Sequence, residues 1–211
     1  MICDFTFKHY KEILKSALRQ GFKVTNFRDL DKVKNDKILI LRHDVDMSIT
    51  KALQMAKIEY SLGLKATYFI RVHGEFYFLD NKNIAILKKM LKMGHEIGLH
   101  TEASALNKLW RSNLKEIFIL EKKYLEELSN QKIISAAEHA DLGRPKNFWK
   151  KHFFTQVKKE QVGIKNFPQE KKYQKFHYLS DSLQSWREGC LCDNLAKYNK
   201  IQVCVHADWW E

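Results

Sequence analysis

The chain has 211 residues, 45% of them hydrophobic, which is enough to bury one sizeable core and predicts a single domain over residues 1–211. No apolar run approaches the roughly 20 residues that a membrane-spanning helix needs. The formal net charge of +12 is compatible with nucleic acid, an anionic membrane or an acidic substrate as a partner. Because the lysines are scattered beside apolar residues at helical spacing, the favoured interpretation is a solvated surface. No specific nucleic-acid binding is expected, and a peripheral contact with an anionic membrane stays open.

The first residues, MICDFTFKHYKEILK, lack the apolar core and the small-residue cleavage site of a secretory signal, so a cytoplasmic location is expected. The cysteines show no CxxC spacing, and in that compartment they are interpreted as reduced thiols rather than a disulfide framework. No histidine is close in sequence to Cys190 or Cys192, so a cysteine nucleophile is not expected. The four cysteines are Cys3, Cys190, Cys192 and Cys204.

Helical and strand patterns alternate along the chain, which is typical of parallel βα units. The alternation predicts an α/β fold, an irregular (β/α) barrel of about 5–7 strands, with an open doubly wound sheet as the alternative. Two further strands are considered, in 22–27 and 161–167. The predicted elements in chain order are a helix over 7–22, a strand over 37–43, a helix over 48–63 that Ser48 caps, a strand over 65–71, a helix over 81–94, a strand over 95–100, a long helix over 105–130, a strand over 132–139, a helical turn over 148–153, a strand over 175–182, a short helix over 189–199 and a strand over 200–210.

Histidines and acids follow five of the predicted strands at the point where each strand ends. The carboxyl ends of parallel strands meet at one rim, so these side chains are expected to converge. Mixed carboxylate and imidazole donors suit Zn²⁺, Co²⁺ or Fe²⁺, with a second carboxylate as general base and a histidine as general acid. The residues are His43, Asp44 and Asp46; His100 and Glu102; Glu138, His139 and Asp141; Asp181; and His206 and Asp208.

Each of these residues also has a structural interpretation. Asp44 and Asp46 are placed to cap the helix that begins after Ser48, and His100 and His206 are compatible with hydrogen-bonded core histidines. Asp181 is close enough in sequence to pair with Arg187. Convergence of all of them at one rim distinguishes the metal site from these alternatives.

Five stretches together carry a family resemblance: RHDVD, GLKATYFIR, GHEIGLHTE, YLSDSLQSWREG and VHADWW. In this order, over residues 38–210, they resemble the polysaccharide deacetylases of the NodB homology type (carbohydrate esterase family 4), and more closely an RHDVD-type branch. The resemblance implies a distorted (β/α) barrel and metal-dependent hydrolysis of an N-acyl group, typically on an amino sugar. The cofactor it implies is Zn²⁺, with Co²⁺, Fe²⁺ or Ni²⁺ also compatible.

The resemblance also implies roles for individual residues. Asp44 aligns with the catalytic base, Asp46 and His100 with metal ligands, and His206 with the acid that protonates the leaving amine. Asp181 aligns with an acidic residue that tunes the catalytic machinery. Ser104 stands where the family has its second metal-binding histidine, which leaves Glu102 or His139 as the third ligand. Arg144, in GRP, matches the family's arginine motif loosely.

On that interpretation the substrate is an N-acetylated sugar or saccharide precursor. The indoles of Trp186, Trp209 and Trp210 are candidates for stacking on a pyranose ring, with core packing as the alternative. Ser104 also keeps open a non-catalytic sugar-binding relic of the same fold.

Overall fold

The computed structural model describes residues 3–74, 80–139 and 153–211. Within these ranges helices and strands alternate as the sequence predicts. The strands are β1 (Lys23–Thr25), β2 (Ile38–Val45), β3 (Thr67–Ile70), β4 (Glu96–Thr101), β5 (Ala136–Glu138), β6 (His177–Ser180) and β7 (Lys200–His206). The helices are α1 (Phe7–Arg19), α2 (Ile49–Ser61), α3 (Asn81–Lys92), α4 (Ala103–Trp110), α5 (Leu114–Ser129), α6 (Phe153–Gln156) and α7 (Leu191–Asn194).

All seven strands belong to one parallel sheet, in which six follow the order β5-β4-β3-β2-β7-β6 and β1 pairs with β2 outside this path. The strand β2 has β7 along one edge, and along the other edge first β1 and then β3. The sheet curls into an open half-barrel, which confirms the predicted irregular (β/α) barrel. The strand expected in 22–27 is β1, whereas the one expected in 161–167 is reduced to a single bridge between Asn166 and Ser135.

Apolar side chains are buried on both faces of the sheet. Side chains alternate along β2, so Leu39 and Leu41 pack against the helices while Ile38 and Ile40 join a smaller cluster on the other face. That inner cluster also contains Phe27, Phe69, Ala137, Tyr173 and Phe176. The inner cluster forms the apolar interior of the half-barrel, below the carboxyl ends of the strands.

Gly98 on β4 is required by the close packing of this interior. A Cβ atom at Gly98 would lie 2.6 Å from Cδ1 of Phe69 and 2.9 Å from the carbonyl oxygen of Ser135. Both distances are shorter than a carbon atom tolerates, so only glycine lets the Phe69 ring lie against β4.

Local signals set the helix ends where the sequence predicts them. The Ser48 side chain accepts a hydrogen bond from the backbone N–H of Lys51 and caps α2. Gly63 and Gly94 follow α2 and α3 with positive φ angles, which end both helices.

The long helix predicted over 105–130 is wrong, because the chain forms two helices there. Arg111 adopts a left-handed backbone conformation at φ 51° and ends α4. The side chain of Asn113 then accepts hydrogen bonds from the backbone N–H groups of Lys115 and Glu116 and begins α5. The continuous apolar periodicity hides this break, since it records the buried face but not the capping asparagine.

In the described ranges, no helix combines the length and apolarity needed to cross a membrane. The single-domain organisation and the cytoplasmic location stay predictions.

Candidate active site

Alternation along β2 brings one arginine and two carboxylates to the same rim, because side chains two residues apart in an extended strand point the same way. Arg42 and Asp44 lie on the face turned away from the helices, and Asp46 follows the strand with the same parity. His43, between them, faces the helices and contacts Glu59. The pattern R-x-D-x-D therefore delivers its three charged groups to one place.

Asp44 is buried and held by Arg42 through two hydrogen bonds. Nε of Arg42 donates to Oδ1 at 3.1 Å and Nη2 donates to Oδ2 at 2.6 Å. Burial raises the pKa of the Asp44 carboxyl, but the charge of Arg42, with smaller contributions from His100 and His206, outweighs burial and holds the pKa well below its usual range. Asp44 is therefore a carboxylate throughout the physiological pH range.

Asp46, His100 and His139 form a compact group at the ends of β2, β4 and β5, called here the Asp–His–His group. One ligand atom from each lies within 4.8 Å of the others. Oδ1 of Asp46 is 3.4 Å from Nε2 of His100 and 3.7 Å from Nε2 of His139. This oxygen is buried and has no hydrogen-bond partner among the described residues. A divalent cation would satisfy a buried carboxylate oxygen that faces two imidazole nitrogens.

The surroundings of His100 suit a metal ligand. Its Nδ1 lies 3.2 Å from the carbonyl oxygen of Ala137, which assigns the ring proton to Nδ1 and leaves the lone pair of Nε2 directed at the carboxylates. Burial lowers the pKa of His100 and outweighs the opposing effect of Asp44 and Asp46. The imidazole is therefore neutral at pH 7, the form that binds metals.

Glu102 lies behind His139 and outside the Asp–His–His group. Its Oε1 accepts a hydrogen bond from Nη2 of Arg71 at 2.8 Å and lies 3.5 Å from Nδ1 of His139. Burial raises the pKa of Glu102, but the hydrogen bonds from His139 and Arg71 outweigh it and lower the pKa to about 2. Glu102 thus contacts the ring nitrogen of His139 opposite the one that faces Asp46.

His206, at the end of β7, is held by Asp181. Nδ1 of His206 lies 2.7 Å from Oδ1 of Asp181, and the backbone N–H of His206 donates to the same carboxylate. Trp210 donates from Nε1 to Oδ2 at 2.8 Å. Burial lowers the pKa of His206, but the hydrogen bond and charge of Asp181 and the charge of Asp44 outweigh it and raise the pKa to about 9. His206 is therefore protonated at neutral pH.

The two predicted catalytic groups meet across the β2–β7 pair. Asp44 and His206 are register partners in that pair. A carboxylate oxygen of Asp44, Sγ of Cys204 and a ring nitrogen of His206 lie within 4.8 Å of one another. The distance is short enough for both groups to act on one amide bond.

The remaining predicted residues differ in their placement. Trp186 stacks on Phe5 with a centroid distance of 6.4 Å and packs against the main core. Trp209 is partly buried against the same core, three residues beyond His206. Ser104 lies in the first turn of α4. Arg144 lies outside the described residues, as does Asp141.

Two residues of the site carry no role in the sequence prediction, and a third, Trp210, is fully buried and therefore has a different role from the predicted stacking on a sugar ring. Arg42 pairs with Asp44, Arg71 pairs with Glu102, and Trp210 donates to Asp181. The i, i+2 spacing of Arg42 and Asp44 in RHDVD would have identified the first pair. The other two depend on tertiary packing that no local pattern records.

No protein-family model matches this chain, and no curated protein matches it. Among solved structures, a mutant of a carbohydrate esterase family 4 (CE4) pseudoenzyme from Bacillus anthracis gives a TM-score of 0.54 at 13% identity, covering 82% of this chain and 57% of that one. The Streptococcus pyogenes deacetylase PplD, in complex with acetate, gives 0.52 at 14% identity over 92% of this chain and 79% of that one. The peptidoglycan deacetylase PdaC from Bacillus subtilis gives 0.52 at 15% identity over 84% and 78%.

This chain thus spans 57% of the length of the CE4 pseudoenzyme. At these identities the likeness shows the fold: the chain has the α/β half-barrel of the CE4 deacetylases.

Proposed function

We propose that this protein is a divalent-metal-dependent hydrolase of an N-acyl amide bond, and that it deacetylates an N-acetyl amino sugar or a saccharide precursor. One observation carries the proposal: the Asp–His–His group shares a rim with an arginine-held carboxylate, Asp44, and an aspartate-held imidazolium, His206. Metal ligands, a general base and a general acid are the groups that amide hydrolysis needs.

The Asp–His–His group would hold the metal, with His139 as the third ligand and Glu102 orienting its ring. One carboxylate and two imidazoles suit Zn²⁺, and Co²⁺, Fe²⁺ or Ni²⁺ are compatible with the same donors. When bound, the ion supplies a Lewis acid that polarises the amide carbonyl and lowers the pKa of water. The carbonyl of Ala137 and the carboxylate of Glu102 fix which nitrogen of each imidazole faces Asp46.

Asp44 and His206 handle the protons of the reaction. Asp44 accepts a proton from the water that attacks the acyl carbon, and Arg42 keeps the carboxylate in place. His206 donates a proton to the amine nitrogen as the carbon–nitrogen bond breaks, so the products are a carboxylic acid and a free amine. Asp181 keeps His206 charged and ready to donate, because it raises the pKa of the ring.

The substrate class rests on the fold and on the aromatic surface beside the acid. Two of the similar solved structures are described as deacetylases, one of them acting on peptidoglycan. Trp209, partly exposed near His206, is the surface that we assign to the sugar ring. The roles of Trp186 and Arg144 in substrate binding stay predictions.

The test combines metal content with acetate release. The protein, loaded with Zn²⁺ or Co²⁺, is assayed on free and nucleotide-linked N-acetylhexosamines. Variants His100→Ala and His139→Ala should each bind one ion fewer per chain and lose turnover, while His177→Ala, at the opposite end of the sheet, should match the wild type. Undiminished metal content in His139→Ala would remove that residue from the proposed site.

The second candidate is a non-catalytic sugar-binding protein of the same fold. Ser104, where the resemblance expects a metal-binding histidine, favours it, and one of the similar solved structures is described as a pseudoenzyme. Sugar binding without acetate release from any N-acetylhexosamine, by a metal-loaded protein, would support this candidate against the hydrolase.

A further inference from the structure

A second cluster of metal-ligand residues joins the two ends of the chain. Cys3 precedes α1, His9 lies on α1, Cys190 caps α7 and Cys192 lies within α7. One ligand atom from each of the four lies within 4.8 Å of all the others. This set is called here the Cys–His cluster. None of its members belongs to the candidate active site.

The distances within the cluster are close to those of a tetrahedral metal site. A Zn²⁺ ion about 2.3 Å from each sulfur and about 2.0 Å from nitrogen separates two sulfurs by about 3.8 Å and a sulfur from a nitrogen by about 3.5 Å. Sγ of Cys190 lies 3.6 Å from Nε2 of His9, and Sγ of Cys3 lies 3.2 Å from Sγ of Cys192. The first pair fits the tetrahedral edge. The second pair needs only a small rotation of the partly exposed Cys3 and Cys192 side chains.

Ordinary packing does not account for this arrangement. A buried cysteine commonly serves as a small apolar side chain, and Cys190 is buried in the core. Packing alone gives no reason for an imidazole nitrogen and three sulfurs to converge from sequence positions up to 189 residues apart. Three thiols and one imidazole are the donor set of closed structural zinc sites.

We propose that Cys3, His9, Cys190 and Cys192 bind one structural Zn²⁺ ion. The ion ties the segment before α1 to the connection between β6 and β7. Phe5, in that first segment, packs edge-on against Trp210 with a centroid distance of 5.2 Å. Trp210 in turn donates its hydrogen bond to Asp181. The zinc therefore holds in place Phe5 and Trp210, which pack behind the Asp181–His206 pair. This role does not depend on whether the protein is a hydrolase.

Cobalt substitution tests the proposal without any variant. Tetrahedral Co²⁺ bound by thiolates gives an intense sulfur-to-metal charge-transfer band, which the Asp–His–His group cannot produce because it has no sulfur. Metal-stripped wild-type protein, titrated with Co²⁺ under reducing conditions, should develop this band to one equivalent, and Zn²⁺ should remove it. A titration without a thiolate band overturns the proposal, as does a disulfide between Cys3 and Cys192 in the protein isolated under reducing conditions.

Variants assign the ligands. Cys190→Ser and His9→Ala should each weaken Co²⁺ binding at least tenfold, as followed by the intensity of the thiolate band. Cys204→Ser, which removes the cysteine outside the cluster, should keep the band. Cys3→Ser, at a partly exposed position, serves if a buried substitution prevents folding. A band that survives both Cys3→Ser and Cys190→Ser overturns the assignment. Because His100→Ala should leave the thiolate band intact, failure of this proposal and failure of the hydrolase proposal give different results.

Discussion

The two faces of β2 each carry a buried network of acids and histidines, and they differ in whether residues 3–74, 80–139 and 153–211 supply donors to the carboxylate oxygens. On the helix side, Oε1 of Glu59 accepts from Tyr10 at 2.5 Å and from Nε2 of His43 at 2.6 Å, and Oε2 accepts from Tyr68 at 2.7 Å. On the other face, Oδ1 of Asp46 is buried without a partner in the part of the chain that the structure describes. Among the described residues, the carboxylate oxygens on the helix side are thus closed by donors, although Nδ1 of His43 there has no partner, whereas a carboxylate oxygen on the other face is left open.

This difference separates a structural network from a reactive one. Burial raises the pKa of Glu59, but His43 outweighs it, so the carboxylate stays ionised among groups that saturate both of its oxygens. A ligand would have to break those bonds to enter. Across the strand, Arg42 donates to both oxygens of Asp44, and Nε2 of His100 lies 3.6 Å from Oδ2 of the same carboxylate.

The largest expected effect is on turnover when the open face loses its base. Asp44→Asn keeps the shape of the side chain and removes the basic carboxylate, so turnover on an N-acetylhexosamine should fall by about 10²–10⁴-fold. The rate should be normalised to the folded, metal-loaded fraction, because the variant leaves Arg42 without its counter-charge. Asp36→Asn, an exposed aspartate at the opposite end of β2, is the control. Equal activity of Asp44→Asn and wild type would assign the base to another residue.

The closed face should respond in stability rather than chemistry. Glu59→Gln removes the buried charge that His43 faces and should lower the free energy of unfolding by about 3–5 kcal/mol, measured by denaturant titration. Glu12→Gln, which alters a partly exposed surface glutamate paired with Lys15, should change the free energy of unfolding little. The metal content of the folded Glu59→Gln protein should equal that of the wild type. Unchanged stability would mean that the network on this face is not closed.

A smaller effect, on the affinity for the metal, is expected when the carboxylate that contacts the ligand His139 is removed. Glu102→Ala takes away the carboxylate that faces Nδ1 of His139 and should weaken metal binding about 10–100-fold, measured by competition with a chelator. Glu127→Ala, an exposed glutamate on α5, is the matched control. Complete loss of the ion from Glu102→Ala would instead make Glu102 a ligand, which is the other alternative that the sequence allows.

The smallest change is a shift of the pH profile. Since His206 must be protonated to act as the acid and its pKa is raised to about 9, activity should be present below that pH and lost as the pH rises through about 9. Asp181→Asn removes the charge that raises this pKa, so the alkaline limb should move to lower pH, towards the ordinary histidine value. If the alkaline limb of the pH profile does not move in Asp181→Asn, His206 is not the group that donates the proton.

The fold, and the convergence of four candidate residues at one rim, could be predicted because they depend on order and parity along the chain. Parallel βα alternation fixes which strand ends share a rim, and that brings Asp44 and His206 together from positions more than 160 residues apart. Asp46 and His100 follow from the same rule. The paired arginine, Arg42, follows from parity as well, although the resemblance directs attention to Arg144 instead.

The choice between the two candidate third ligands, and the remaining contacts, could not be predicted because they depend on packing between elements. The sequence leaves Glu102 and His139 as alternatives, and the pairing of β4 with β5 brings His139 to Asp46. From the sequence alone, Glu59 is predicted to be an ordinary polar residue of a helix. Only the fold shows that its side chain is fully buried. The side chains of His9 and Cys190 are in contact although the two residues are 181 positions apart in the sequence. No rule on residue spacing predicts such a contact.

The open half-barrel has a consequence for self-association. Its path ends at β5 and β6, which comprise only Ala136–Glu138 and His177–Ser180. An exposed edge strand offers unpaired backbone groups to another chain, and a short edge offers few of them. The longer strands β2, β4 and β7 lie inside the path, where both of their edges are paired. The strands that could form the most hydrogen bonds with another chain are therefore not at the edges of the sheet. This arrangement protects an unclosed barrel from edge-to-edge polymerisation.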